Sequence, residues 1–124
     1  MCLVSCVFLR LVYMISIEKR DKIDIISFSA NRINALITDE IRDEISKAFE
    51  ISNSKVIIDL RGVEYIDSSG FSCFLSLMRI ARNNYGVLKF ANPEPSVMGL
   101  FHTLHLHTVF QIFDDTDECI KSFR

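Results

Sequence analysis

The run Lys55-Val-Ile-Ile-Asp-Leu60 constrains the fold more than any other stretch of the chain. It is a continuous apolar, β-branched segment rather than an alternation of apolar and polar residues. That pattern marks a strand covered on both faces, and such strands belong to parallel or mixed sheets flanked by helices. The neighbouring segments read as those helices. Ile37, Ile41, Ile45, Ala48 and Phe49 recur at spacings of four, four, three and one, which predicts one buried helix stripe. Thr38 is its expected N-cap, with Asp39 and Glu40 in the favourable first turn. A second helix is predicted from about Phe71 to Asn84, with Phe71, Phe74, Leu75 and Met78 as its stripe and Gly86 as its end.

The remaining segments fit the same scheme. Ile15 and Ile17 alternate with Ser16 and Glu18, the charged stretch Glu18–Lys22 reads as a turn, and Ile23 to Phe28 as a second strand. Val87–Phe90 is another short strand. Pro93 and Pro95 open a third helix, where a first-turn proline costs no hydrogen bond; its stripe is Val97, Leu100, Phe101 and Leu104. Val109–Phe113 reads as a last strand, and Asp114–Asp117 as the acidic start of a terminal helix ending at Phe123. The order β-β-α-β-α-β-α-β-α predicts an α/β domain with four helices and one mixed sheet of about five strands. The 124 residues suit a single domain, since domains commonly run roughly 100–150 residues. Fourteen basic against sixteen acidic residues leave no cationic excess to neutralise phosphates, which argues against a nucleic-acid partner.

The N-terminus differs from the rest. From Met1 to Ile17 only Ser5, Arg10 and Ser16 interrupt the apolar residues. This falls short of the about 20 apolar residues of a spanning helix, and it lacks the charge and cleavage pattern of a signal peptide. No stable membrane insertion is expected. Residues 1–13 read as an extension upstream of a natural start at Met14, with the domain over 14–124; the other reading is an extra strand or a membrane-touching tail. The four cysteines, Cys2, Cys6, Cys73 and Cys119, contain no CxxC pair and read as reduced thiols of a cytoplasmic protein.

Chemistry concentrates at Asp67-Ser68-Ser69-Gly70, where a strand and loop give way to a helix. Asp and Ser oxygens at such a junction cap free amides, and the same amides with the helix dipole favour an anion. A catalytic serine has less support: no Gly-x-Ser-x-Gly elbow is present and no histidine is placed to act as base. Gly62, Gly70, Gly86 and Gly99 form no phosphate-cradling loop. His102, His105 and His107 match no zinc spacing, so no metal site is expected. His105 falls where the third helix should end, a position that often takes a left-handed residue.

Val56-Ile-Ile-Asp-Leu60, followed by Val63 and Ile66-Asp67-Ser68-Ser69-Gly70-Phe71, resembles the core signature of STAS domains, and most closely that of the bacterial anti-sigma factor antagonists. Arg32-Ile33-Asn34 is similar to the polar-Leu/Ile-Asp segment after the second strand, and Leu100-Phe101 adds to the match, which runs from about Met14 to Phe123. Three departures stand out. The family's glycine after the second strand is Ala30 or Asn31 here, its small residues after the serine motif are Phe71-Ser72-Cys73-Phe74, and its glycine after the third helix is His105.

The resemblance implies a STAS-like fold and a protein-binding switch in the cytoplasm rather than an enzyme, with no cofactor. The unphosphorylated antagonist binds an anti-sigma factor that is also a serine kinase of the histidine-kinase-like ATPase fold, and so frees a sigma factor. Phosphorylation of Ser68 ends the binding, and a PP2C-type phosphatase resets it. Asp67, Ser69 and Gly70 then shape the phosphorylation site. Asn31, Arg32, Ile33 and Asn34, with Phe71 and Ser72 on the adjoining helix, are expected to form the docking face. The rival expectation is a STAS subunit of a lipid-transport or stress-signalling assembly without a phosphorylation cycle.

Overall fold

The computed structural model describes residues 15–123. The extension 1–13, the start at Met14, Cys2 and Cys6 lie outside the described residues. Strands β1 (Ile15–Arg20) and β2 (Ile23–Phe28) pair antiparallel as the expected hairpin. The turn is narrower than the charged stretch indicated. Only Asp21 and Lys22 leave the ladder, with φ of 52° and 65°, the primed geometry that matches the twist of paired strands. Glu18 to Arg20 therefore remain in β1, where exposed charges suit a sheet edge.

Two very short strands, β3 (Arg32–Ile33) and β5 (Tyr65–Ile66), pair parallel in a ladder of their own. The main sheet takes β4 (Lys55–Asp59), β6 (Val87–Ala91) and β7 (Ile112–Phe113), in the order β1-β2-β4-β6-β7, with every pair after the hairpin parallel. Helices α1 (Thr38–Ser46), α2 (Ser68–Asn83), α3 (Pro95–Thr103) and α4 (Thr116–Lys121) complete the fold. Main sheet and helices follow the order read from the sequence; the β3–β5 ladder is additional.

The continuous apolar run is the middle strand, and its Val56, Ile57 and Ile58 are all fully buried. Val56 and Ile58 face the larger core, built with Ile41 and Ile45 of α1, Phe74 and Leu77 of α2 and Phe101 of α3. Ile57 faces the other way, toward Ile23, Ile25, Ala91 and the Cys119 and Ile120 side chains of α4. Helices on both faces are what that run requires. Phe90 is the hub of the larger core, edge-on to Phe74, Phe101 and Phe110 at centroid distances of 5.1, 5.9 and 4.8 Å. Such arrangements suit the ring quadrupoles.

Several local expectations are corrected. Thr38 is not the N-cap of α1; it is the buried first residue of the helix, and the cap position falls to Ile37 with no side-chain cap bond. Helix α2 begins at Ser68, one full turn-stretch before Phe71, because Asp67 already caps it. Its end is made by Tyr85, at φ 58°, rather than by Gly86. Gly86 serves close packing instead: a Cβ there would lie 2.8 Å from the Ser54 carbonyl oxygen and 3.0 Å from Phe49. Leu104 is exposed rather than part of the α3 stripe. The strand expected over Val109–Phe113 shrinks to Ile112–Phe113, since the Val109 and Phe110 N–H groups donate back to the Leu106 carbonyl at 3.0 and 2.9 Å. His105 does take the left-handed position, with φ 57°.

Candidate functional site

The Asp67–Gly70 segment sits on the β3–β5 ladder. The backbone from Glu64 to Asp67 is tied to the chain after β2 at three points. The Glu64 and Tyr65 N–H groups donate to the Asn31 carbonyl at 2.8 and 3.3 Å, and the Asp67 N–H donates to the Ile33 carbonyl at 3.1 Å. The ladder thus sets segment 31–34 directly beside the serine motif, two stretches far apart in sequence.

Asp67 is the N-cap of α2. Its Oδ1 accepts the Gly70 N–H at 3.1 Å and the Ser69 hydroxyl at 2.5 Å. The Ser69 hydroxyl bond, helped by the amides of Gly70, Ser69 and Ala35, holds the Asp67 carboxyl below the usual carboxylate range against the opposing effect of partial burial. Gly70 is required by proximity: a Cβ would stand 2.5 Å from Ile66 Cγ2 and 3.1 Å from Ile33 Cγ2. The first turn of α2 therefore rests directly on the two short strands.

Ser68 is the first residue of the helix and is exposed. Among the described residues its hydroxyl has no hydrogen-bond partner, whereas that of Ser69 is engaged by Asp67. Ser68 Oγ is thus open to solvent at the positive end of a 16-residue helix. Ser72 is exposed one turn further along the same face.

The residues expected on the docking face divide. Asn31, Arg32 and Ser72 are exposed, and Asn34 is half-buried as a turn former. Asn34 Oδ1 accepts the Leu36 N–H at 3.0 Å, and its carbonyl accepts the N–H groups of Ile37 and Thr38 at 3.1 and 3.2 Å. Ile33 and Phe71, by contrast, are core residues at 0 % and 4 % exposure, Phe71 standing edge-on to Phe101 at 5.2 Å. Both support the face from beneath; neither side chain lies on it. The aromatic residues that replace the family's small ones after the serine motif are thereby absorbed by the core. Two exposed side chains were not singled out in the sequence. Tyr65 carries the Arg32 guanidinium 5.6 Å from its ring centroid, beside an open cleft lined by Arg32, Glu64, Glu94 and Ser96. Leu36 projects from the turn after β3. Nothing in the one-dimensional pattern separates Leu36 from the helix stripe that follows it.

Elsewhere, the His102 and His107 rings stack at 4.0 Å, and His105 lies 6.2 Å from His107. Among the described residues no group of three or more His, Cys, Asp or Glu side chains is placed to hold a metal ion. Among them, too, no helix is long and apolar enough to cross a membrane.

A family model described as STAS domain matches residues 14–119. Among solved structures, an anti-sigma-factor antagonist (STAS) domain protein from Planctomyces limnophilus superposes with a TM-score of 0.80 at 20 % identity, covering 87 % of this chain and 96 % of that one. The anti-sigma factor antagonist SpoIIAA is similar in its unphosphorylated form, with TM-score 0.73, 22 % identity and coverage of 89 % and 96 %. It is similar also in the phosphorylated form from Bacillus, with TM-score 0.65, 21 % identity and coverage of 89 % and 99 %. A murine Solute Carrier 26 family anion transporter matches with TM-score 0.73 at 11 % identity, over 96 % of this chain and 23 % of the transporter.

Proposed function

The chain belongs to the STAS domain family, and on that premise we propose that it is an anti-sigma factor antagonist switched by phosphorylation of Ser68. In the unphosphorylated state it binds a cytoplasmic anti-sigma factor that doubles as a serine kinase with a histidine-kinase-like ATPase fold, and a sigma factor is released. Phosphate on Ser68 ends that complex, and a PP2C-type phosphatase restores it. The protein itself acts as a binding partner rather than a catalyst.

The observation that carries this reading is the contrast between the two serines of the motif. Ser69 is occupied as a ligand of the Asp67 cap, whereas Ser68 is exposed with an unengaged hydroxyl. In the transfer, the γ-phosphoryl group of ATP passes to Ser68 Oγ, ADP leaves, and the hydroxyl proton goes to a base of the kinase. The product suits its place, because a phosphate at a helix N-terminus faces free amides and the positive end of the dipole. The fold need not change for the complex to break. A hundredfold loss of affinity corresponds to about 2.8 kcal/mol. A phosphate adds about −1.5 to −2 charges, and two like unit charges about 4 Å apart repel by roughly 4 kcal/mol at an effective dielectric near 20. One carboxylate or a close steric contact in the partner suffices.

The test is affinity for the purified host kinase measured with wild type, Ser68→Ala and Ser68-phosphorylated protein. Wild type and Ser68→Ala should bind alike and the phosphorylated form at least a hundredfold more weakly; equal binding of all three would falsify the switch. The second reading is a STAS unit of a larger assembly without phosphorylation, which the likeness to part of a transporter keeps in view. Recovery of the native protein with a transporter rather than a kinase favours that reading.

A further inference from the structure

One exposed side chain beside Ser68 is accounted for by neither the helix cap nor the core. Leu36 is 85 % exposed in the turn between β3 and α1. Single exposed apolar residues are ordinary on protein surfaces, but this one is held in place. Its own N–H donates to Asn34 Oδ1 at 3.0 Å, and the next two amides donate to the Asn34 carbonyl. On its other side, the strand that leads into the turn is held by the Asp67 N–H, which donates to the Ile33 carbonyl at 3.1 Å. The backbone of Leu36 is therefore fixed by Asn34 of its own turn, and the strand before that turn is tied to the residue that precedes Ser68. In the same ladder the half-exposed Tyr65 ring carries the Arg32 guanidinium. Apolar, aromatic and arginine groups held rigid before binding lose little freedom on association, which is how a few residues come to dominate an interface.

We propose that Leu36 is the docking anchor that selects the kinase partner, entering an apolar socket of that protein next to its phosphoryl-transfer site. The proposal rests on the reading of Ser68 as phosphoacceptor. A protein that delivers a phosphoryl group to Ser68 Oγ has to cover the first turn of α2, and the strand that leads into the Leu36 turn lies against that first turn, with the Ile33 carbonyl accepting the Asp67 N–H and Ile33 packed on Gly70. A standard interface buries about 800 Å² on each partner, far more than one serine offers, so a kinase seated on Ser68 also covers Leu36. The exposed Ile51 and Tyr85 lie at the opposite end of the sheet, where β4 and β6 begin, and a partner centred on Ser68 does not reach them.

The experiment uses the full chain, ATP and each purified host serine kinase of the ATPase fold, with phosphate read by intact mass and KM taken from initial rates. Wild type, Leu36→Ala, Leu36→Asp, Leu36→Met and the distant control Ile51→Ala are compared, and thermal melting establishes that each is folded. Leu36→Ala should raise KM about 30-fold, equivalent to about 2 kcal/mol. Leu36→Asp should raise it further, and Leu36→Met should restore it to within a few-fold of wild type. Ile51→Ala should leave KM unchanged. If wild type is phosphorylated and both Leu36→Ala and Leu36→Asp keep its KM, the anchor is overturned while Ser68 stands as acceptor. If wild type takes up no phosphate from any of these kinases, the reading of Ser68 is overturned and the anchor with it.

Discussion

The Asp67 N–H donates to the Ile33 carbonyl at 3.1 Å, and that single bond joins the serine motif to a segment more than thirty residues earlier. Around it the β3–β5 ladder, the Asp67 cap and the first turn of α2 form one unit. The position of Ser68 is thus set by tertiary pairing as much as by the helix that carries it.

Gly70 is where that unit has no spare room. Gly70→Ala forces a methyl group against Ile66 and Ile33. Overpacking of this kind costs about 1–3 kcal/mol, and the urea midpoint should fall accordingly. Because the strain enters at the first turn, hydrogen exchange should quicken first in residues 65–72.

The Asp67 cap should contribute about 1 kcal/mol, so Asp67→Ala destabilises by that amount whereas Asp67→Asn, which can still cap, costs less. The pH dependence follows from the depressed carboxyl. A group whose pKa is lower folded than unfolded stabilises fully above its unfolded value, about 3.9 for Asp. The benefit disappears as pH falls through the folded value. Urea denaturation of wild type and Asp67→Asn should therefore differ most near neutrality and converge below about pH 4.

Burial pushes the Cys73 and Cys119 thiols up to about 11, so neither offers thiolate at ordinary pH. Peptide mapping after iodoacetamide treatment of the native protein at pH 8 should find both unmodified, and denaturant should expose both. Labelling of Cys73 in the native state would contradict the packing of α2 on α1.

Tyr85 occupies a left-handed position at the end of α2 with its side chain 80 % exposed, so it pays backbone strain without packing in return. Tyr85→Gly should stabilise the protein by about 0.5–1 kcal/mol, as cap optimisation commonly does. A rise in the melting midpoint checks it.

Much of this was legible in the sequence. The Val56–Ile58 run announced a strand covered on both faces, and Asp67-Ser-Ser-Gly announced a helix start. His105 could be placed at a left-handed helix end because only a few residue types tolerate that backbone. What stayed hidden is non-local. β3 and β5 are two residues each, too short for any periodicity, and exist because Arg32-Ile33 and Tyr65-Ile66 meet in space. The same pairing buries Ile33 beside the exposed Arg32, while the aromatic core takes Phe71 beside the exposed Ser72. Thr38 has the chemistry of a cap, but packing draws it inside the helix instead. Leu36 is spelled like core and lies on the surface, a difference only the turn at Asn34 decides.

The measurement that bears most directly on the account is intact mass after incubation with ATP and the host's candidate kinases, run in parallel on wild type and Ser68→Ala. One phosphate is expected on wild type, located at Ser68, and none on Ser68→Ala. A phosphate that persists in Ser68→Ala, or a wild type left unmodified where a control antagonist is phosphorylated, would contradict it.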